Sequence, residues 1–163
     1  MDLYLLRHGE AGKSLAVAEK DVARSLTVEG RKEVEKVATS MAKLGLKFDR
    51  VLSSPLNRAR ETAEIVAKST GRKAKIEYWD ELRPEGDKKA FTSRLAKLGH
   101  GSCVLVVGHE PYLTTFISEM IDARGEILLK KAGLARVRLT TFLPVAKGEL
   151  RWLLSPRVMK GIA

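Results

Sequence analysis

Three histidines occur in the chain: His8, His100 and His109. Two of them stand just past short apolar runs, Leu3 to Leu6 and Cys103 to Val107. Such runs read as buried strands, and open parallel sheets bind ligands beyond the carboxyl ends of their strands. If the two strands are parallel neighbours, His8 and His109 converge on one crevice. A single histidine is more often a hydrogen-bonded structural group. Two at equivalent strand ends, one of them beside Arg7, shift the balance towards chemistry. His100, in Gly99-His100-Gly101 ahead of a strand, reads as a loop residue on the opposite edge.

Arg7-His8-Gly9 places a cation, an imidazole and a flexible backbone in consecutive positions. Arginine stays charged and its planar fork matches phosphate oxygens. One imidazole nitrogen can attack phosphorus when the other keeps its proton and fixes the tautomer. A third strand end, Arg50 to Ser53, leads into Ser54-Pro55-Leu56-Asn57-Arg58. That places Arg58 in the first turn of a helix, whose N-terminus itself favours anions. Arg60 points to another side, where it is solvated or pairs with Glu64 four residues on. Together these residues describe an anion pocket with one nucleophile. No Asp/Glu/His cluster has metal-ligand spacing, so no metal and no cofactor is expected.

The elements that must position these groups are legible from periodicity. Val34, Val37, Ala38 and Met41 follow helical spacing, which predicts a helix over Val28 to Leu44, capped by Thr27 and closed by Gly45. Leu56, Ala59, Ala63 and Val66 predict a second helix, with Pro55 suited to its first turn. Weak alternation over Ala74 to Trp79 predicts a strand. The turn-rich Leu82 to Asp87 leads to a short helix carrying Phe91, Leu95 and Leu98. Pro111 marks the start of another, with Leu113, Phe116, Ile117, Met120 and Ile121 on its apolar face. Leu134 to Phe142 and Glu149 to Leu154 read as a terminal hairpin. Strands alternating with helices imply an α/β three-layer sandwich, with a mostly parallel central sheet, helices on both faces and an antiparallel C-terminal hairpin.

The 163 residues suit one domain spanning 1–163, large enough to need no disulfide or metal staple. The single cysteine, Cys103, excludes a disulfide framework. No apolar run approaches the roughly 20 residues that span a bilayer, and the apolar start is too short for a signal peptide. A cytoplasmic protein with no membrane partner is expected. The net charge of +10 is uneven, because residues 122–163 carry nine basic and three acidic groups. A basic balance raises the prospect of a polyanion partner. Aromatics are only 6% and do not interleave with the basic residues, which disfavours nucleic acid.

The chain resembles the histidine phosphatase superfamily, the phosphoglycerate mutase-like group, and within it the small SixA-type phosphohistidine phosphatases. The resemblance rests first on Leu6-Arg7-His8-Gly9-Glu10, Leu26-Thr27-Val28-Glu29-Gly30 and Ser54-Pro55-Leu56-Asn57-Arg58-Ala59 with Thr62-Ala63. Glu81 to Asp87, Val107-Gly108-His109-Glu110-Pro111 and Trp152-Leu153-Leu154-Ser155-Pro156 follow in order. It implies that His8 is a nucleophile that becomes transiently phosphorylated. It implies also that Arg7, Arg58 and a protonated His109 hold the phosphoryl oxygens, and that water releases the phosphate.

A proton donor is sought among Glu81, Glu85 and Asp87. Asp87 reads better as a helix cap, which leaves Glu81 as the first candidate acid. The resulting expectation is a metal-independent phosphatase acting on a phosphohistidine-bearing signalling or phosphotransfer protein. The alternatives are a small-molecule phosphomonoesterase using the same pocket and, in a different class, a basic nucleic-acid-binding module with structural histidines. Lys130, Lys131, Arg136 and Arg138 are a candidate docking patch for an acidic protein surface, or else a solubilising face.

Overall fold

A computed structural model describes residues 1–13, 21–70, 75–99 and 101–163. Six strands form one sheet in the order β3-β2-β4-β1-β5-β6. They are β1 (Asp2–Arg7), β2 (Arg50–Ser53), β3 (Ile76–Tyr78), β4 (Cys103–Gly108), β5 (Leu134–Thr141) and β6 (Lys147–Leu154). The first four run parallel to one another, whereas β5 runs antiparallel to both β1 and β6. The helices include α1 (Val28–Lys43), α2 (Asn57–Ser69), α3 (Lys88–Ala96), α4 (Tyr112–Ile121) and the short α5 (Pro156–Lys160). The expected α/β sandwich with its terminal hairpin is the fold observed.

Burial explains why β1 and β4 read as unbroken apolar runs. Successive strand side chains point to opposite faces. Leu3, Leu5, Val104 and Val106 join one core with Phe91 of α3 and Phe116 of α4. Tyr4, Leu6, Leu105 and Val107 join the other with Val34 and Met41 of α1 and Ala63 of α2. A parallel sheet covered on both faces requires apolar residues at every position, not alternation.

The caps are as expected. The Thr27 side chain accepts from Gly30 N at the start of α1, and Gly45 beyond its end has φ +68°. The Asp87 carboxylate accepts from Lys89 N and Ala90 N. Pro55 falls outside α2, which begins at Asn57 with Leu56 as N-cap. The hairpin strands are offset from their expected bounds, because β6 starts at Lys147 and register shifts interrupt the β5–β6 ladder. The residue His100 lies outside the described residues. Among the described residues, no helix is long and apolar enough to cross a membrane.

Candidate active site

Strand order brings the site together. The central β4 lies between β2 and β1, all three parallel, with Arg7 opposite Gly108 and Ser53 opposite Val107. The residues that follow these strands must therefore leave the sheet side by side. His8 N donates to Gly108 O at 3.1 Å, and Ser54 N donates to Val107 O at 2.9 Å. The His8 and His109 rings end 4.9 Å apart, centroid to centroid, tilted by 56°. Both are buried, with relative exposures of 7% and 2%. The crevice lies at the carboxyl edge, where the strand order switches, as in other open α/β sheets.

Each imidazole is oriented by a different neighbour. His8 Nδ1 lies 2.7 Å from Gly9 O. A carbonyl only accepts, so Nδ1 carries the proton and Nε2 keeps its lone pair. Burial, reinforced by Arg58 and Arg7, lowers the His8 pKa to about 4, although the Gly9 hydrogen bond pulls the other way. His8 is thus a neutral base at neutral pH. His109 Nε2 lies 2.8 Å from Ser54 Oγ, and Leu56 N donates to the same oxygen at 3.4 Å. Where the Ser54 hydroxyl donates to Nε2, the ring proton sits on Nδ1, a buried atom with no protein partner. Burial, then His8 and Arg58, lower the His109 pKa to about 2. Without a bound anion, burial therefore disfavours the protonated His109 expected around a phosphoryl group, because a third cation beside Arg58 and Arg24 is costly to bury.

Two guanidinium groups complete the pocket. Arg58, 4% exposed, comes from the first turn of α2. Its Nη1 donates to Asp21 O at 2.9 Å and its Nη2 pairs with the Asp21 carboxylate at 3.3 Å. Arg7 donates from Nη1 to Leu129 O at 3.0 Å. Both Nε atoms are buried without a protein partner. The Arg60 guanidinium takes another course and lies over the Tyr78 ring, 4.9 Å from its centroid.

The loops that seat these groups are held by close backbone contacts. Thr62 Oγ1 accepts from Gly9 N at 3.2 Å and donates to Arg58 O at 2.7 Å, tying the His8 loop to α2. On the other side, Ala132 N donates to Arg7 O and His8 O, each at 3.1 Å. Arg7, His8, Arg58 and His109 line one cavity of about 410 Å³, together with Arg24, Glu110 and others. Among the described residues, no group of three or more His, Cys, Asp or Glu could hold a metal ion.

The expected acid is not in that cavity. Both Glu81 carboxylate oxygens accept from Arg94 Nη1 at 3.2 Å, and Arg94 lies over Trp79, 3.9 Å from the ring centroid. Two carboxyl-bearing residues line the cavity instead, Asp21, which pairs with Arg58, and Glu110. One of the Glu110 oxygens takes the Thr114 hydroxyl, and the other, Oε1, is buried with no protein partner. Burial raises its pKa, against the opposing pull of Thr114 and Arg7. Its position directly after His109 is the sequence signal that could have found it.

Residues 3–84 match the histidine phosphatase superfamily (branch 1). The chain belongs to that superfamily. A cyanobacterial protein of Picosynechococcus sp., itself uncharacterised, is 35% identical over 143 residues, covering 85% of each chain. The phosphohistidine phosphatase SixA of Escherichia coli is 29% identical, covering 98% of this chain and 97% of its own. In structure, the protein histidine phosphatase SixA complexed with tungstate superposes with a TM-score of 0.84 at 28% identity, covering 96% and 98% of the two chains. A putative SixA of Agrobacterium tumefaciens gives 0.77 at 26%, covering 95% and 97%. Family membership and the full-length likeness to SixA identify the chain as a phosphatase.

Proposed function

We propose that the chain hydrolyses phosphohistidine on a protein through a covalent phospho-His8 intermediate, without a metal. One observation carries the reading. Three nitrogens with no protein partner, Arg7 Nε, Arg58 Nε and His109 Nδ1, belong to residues lining the cavity that also holds His8. Buried donors of this kind are costly unless a ligand accepts from them. A phosphoryl group supplies the acceptor oxygens, and full-length likeness to SixA supports a phosphohistidine substrate.

In the first step the His8 Nε2 lone pair attacks phosphorus. The P–N bond of the substrate breaks, and its electron pair goes to the departing imidazole with a proton. In the second step water attacks phospho-His8, the new P–N bond breaks, and phosphate leaves. Arg7, Arg58 and the His109 Nδ1–H follow the charge that spreads over the phosphoryl oxygens, the main source of rate in such transfers. Glu110 supplies the proton in the first step and takes one from water in the second.

A second reading, a small-molecule phosphomonoesterase, has Glu110 in its favour. A carboxyl with a raised pKa also suits the protonation of an alkoxide, which a departing imidazole hardly needs.

The test is labelling. Brief exposure to a phosphohistidine protein should give acid-labile, base-stable label on the wild-type chain, whose turnover chelators leave undiminished, and neither label nor turnover on His8→Ala. Substantial turnover by His8→Ala overturns the covalent route. Turnover of sugar phosphates far above phosphohistidine favours the second reading.

A further inference from the structure

The candidate reaction cavity does not end at Arg7. Arg7 and Lys131 also line an open groove of about 480 Å³, whose other walls include Leu128, Lys130, Arg157 and Lys160. We propose that this groove docks an acidic protein surface that presents the phosphohistidine to His8. The proposal rests on the phosphohistidine reading and adds the partner's chemistry and the surface that selects it.

Three observations support it. The first is continuity, since a protein whose phosphorylated side chain enters the cavity must cover the adjoining groove. The second is charge. Lys131 already pairs with Glu10 at 2.5 Å and Lys160 with Glu33 at 2.7 Å. Lys130 and Arg157 are exposed, with no carboxylate partner among the described residues. Covering them with a neutral or basic surface would strip water from uncompensated cations, whereas carboxylates would pair with them. The third is an apolar anchor. Leu128 is 68% exposed at the groove, and Val158 is 52% exposed beside Arg157 in α5. Large exposed apolar side chains within a polar rim are the pattern of a protein interface.

This surface revises the docking patch expected from sequence. Of Lys130, Lys131, Arg136 and Arg138, only the lysines line the groove. Arg136 pairs with Asp2 at 3.1 Å and lies over Tyr4. Arg138 stands opposite Asp2, at the end of β1 remote from His8.

The experiment compares two substrates on the wild-type chain and on Lys130→Glu/Arg157→Glu. One is an acidic phosphotransfer protein phosphorylated on histidine with phosphoramidate, and the other is p-nitrophenyl phosphate. Neither substituted residue lines the cavity, so p-nitrophenyl phosphate turnover should stay within about twofold and certifies the fold. For the phosphoprotein kcat/KM should fall by about tenfold or more, the scale of electrostatic steering. Its decline between low and high salt should flatten in the variant. Equal loss on both substrates, or an unchanged phosphoprotein value, overturns the docking surface while leaving the phosphohistidine reading intact. Wild-type turnover of p-nitrophenyl phosphate with none of any phosphohistidine protein overturns that reading and the docking surface with it. Loss of duplex DNA binding in the variant, with phosphoprotein turnover unchanged, also overturns it.

Discussion

His8 and His109 leave neighbouring parallel strands at the same level, yet they are held by opposite ring nitrogens. Gly9 O takes the His8 Nδ1 proton, whereas Ser54 Oγ meets His109 Nε2. Under the proposed function, Ser54 is a positioning residue that acts through His109. Ser54→Ala should lower kcat by about tenfold with little change in KM, since outer hydrogen bonds of this kind are worth about 10–100-fold. His109→Ala should cost about 10²–10³, the usual loss on removing one such donor. Equal values for the two variants would deny His109 a direct contact. Glu110→Gln should slow alkyl phosphates more than phosphohistidine, whose leaving group has a pKa of roughly 6.5. Glu81→Gln should leave that ratio unchanged, because Glu81 is bound to Arg94. Steady-state kinetics on both substrate types decides it. Strand-end position made the meeting of His8, His109, Arg7 and Arg58 around one cavity legible in the sequence. It could not choose among carboxylates, because loop periodicity does not say which one turns inward. Asp21 and Arg24, which brace Arg58 and the loop at Ala11, come from a polar stretch with no periodic signal.

At the scale of elements, the loop after β1 is shaped by α1. A Cβ added at Gly30 would lie 2.1 Å from Glu10 O, and Thr27 N donates to that same oxygen at 2.9 Å. The first turn of α1 therefore presses on the backbone two residues past His8. Gly30→Ala must push one of them away. It should cost about 1–3 kcal/mol, the range for overpacking, and lower kcat as well, because Gly9 O, which orients the His8 ring, moves with the loop. Thr27→Ala, which removes only the cap, should cost about 1 kcal/mol with kcat nearly unchanged. Denaturation midpoints and kcat on both variants check the pair. Parallel loss of kcat per unit stability would show that the contact has no special hold on the loop. The helix itself was readable, since Val34, Val37, Ala38 and Met41 are all fully buried. The need for glycine at its third residue was not, because a close approach between distant segments leaves no periodic trace. The hairpin bounds were also obscured, since both β5 and β6 carry polar residues to the sheet edge and their register shifts.

Across the whole molecule, the sheet buries two neutral imidazoles in a cationic pocket, and folding must be linked to pH. The folded pKa of His8 is about 4 and that of His109 about 2, both below the ordinary 6.5. Below pH 6.5 the unfolded chain binds protons that the folded chain refuses, so stability falls as pH falls. The loss from His8 runs from about pH 6.5 to about 4, and that from His109 continues lower. Glu110 works against this trend. Its raised pKa means that the folded chain holds its proton at a pH where the unfolded chain has released it. Its contribution is complete below the ordinary carboxylate pKa and is lost as pH rises through the folded value. Urea denaturation between pH 7 and 5 should therefore show stability falling with acidity, and a shallower fall in His8→Gln; Glu110→Gln should steepen the fall over the range in which Glu110 takes up its proton. Inorganic phosphate should flatten the wild-type slope, because the bound anion favours a protonated His109. A stability that stays level from pH 7 to 5 in wild type and in Glu110→Gln would mean that the two histidines titrate alike in both states, and the neutral-imidazole site would have to be abandoned.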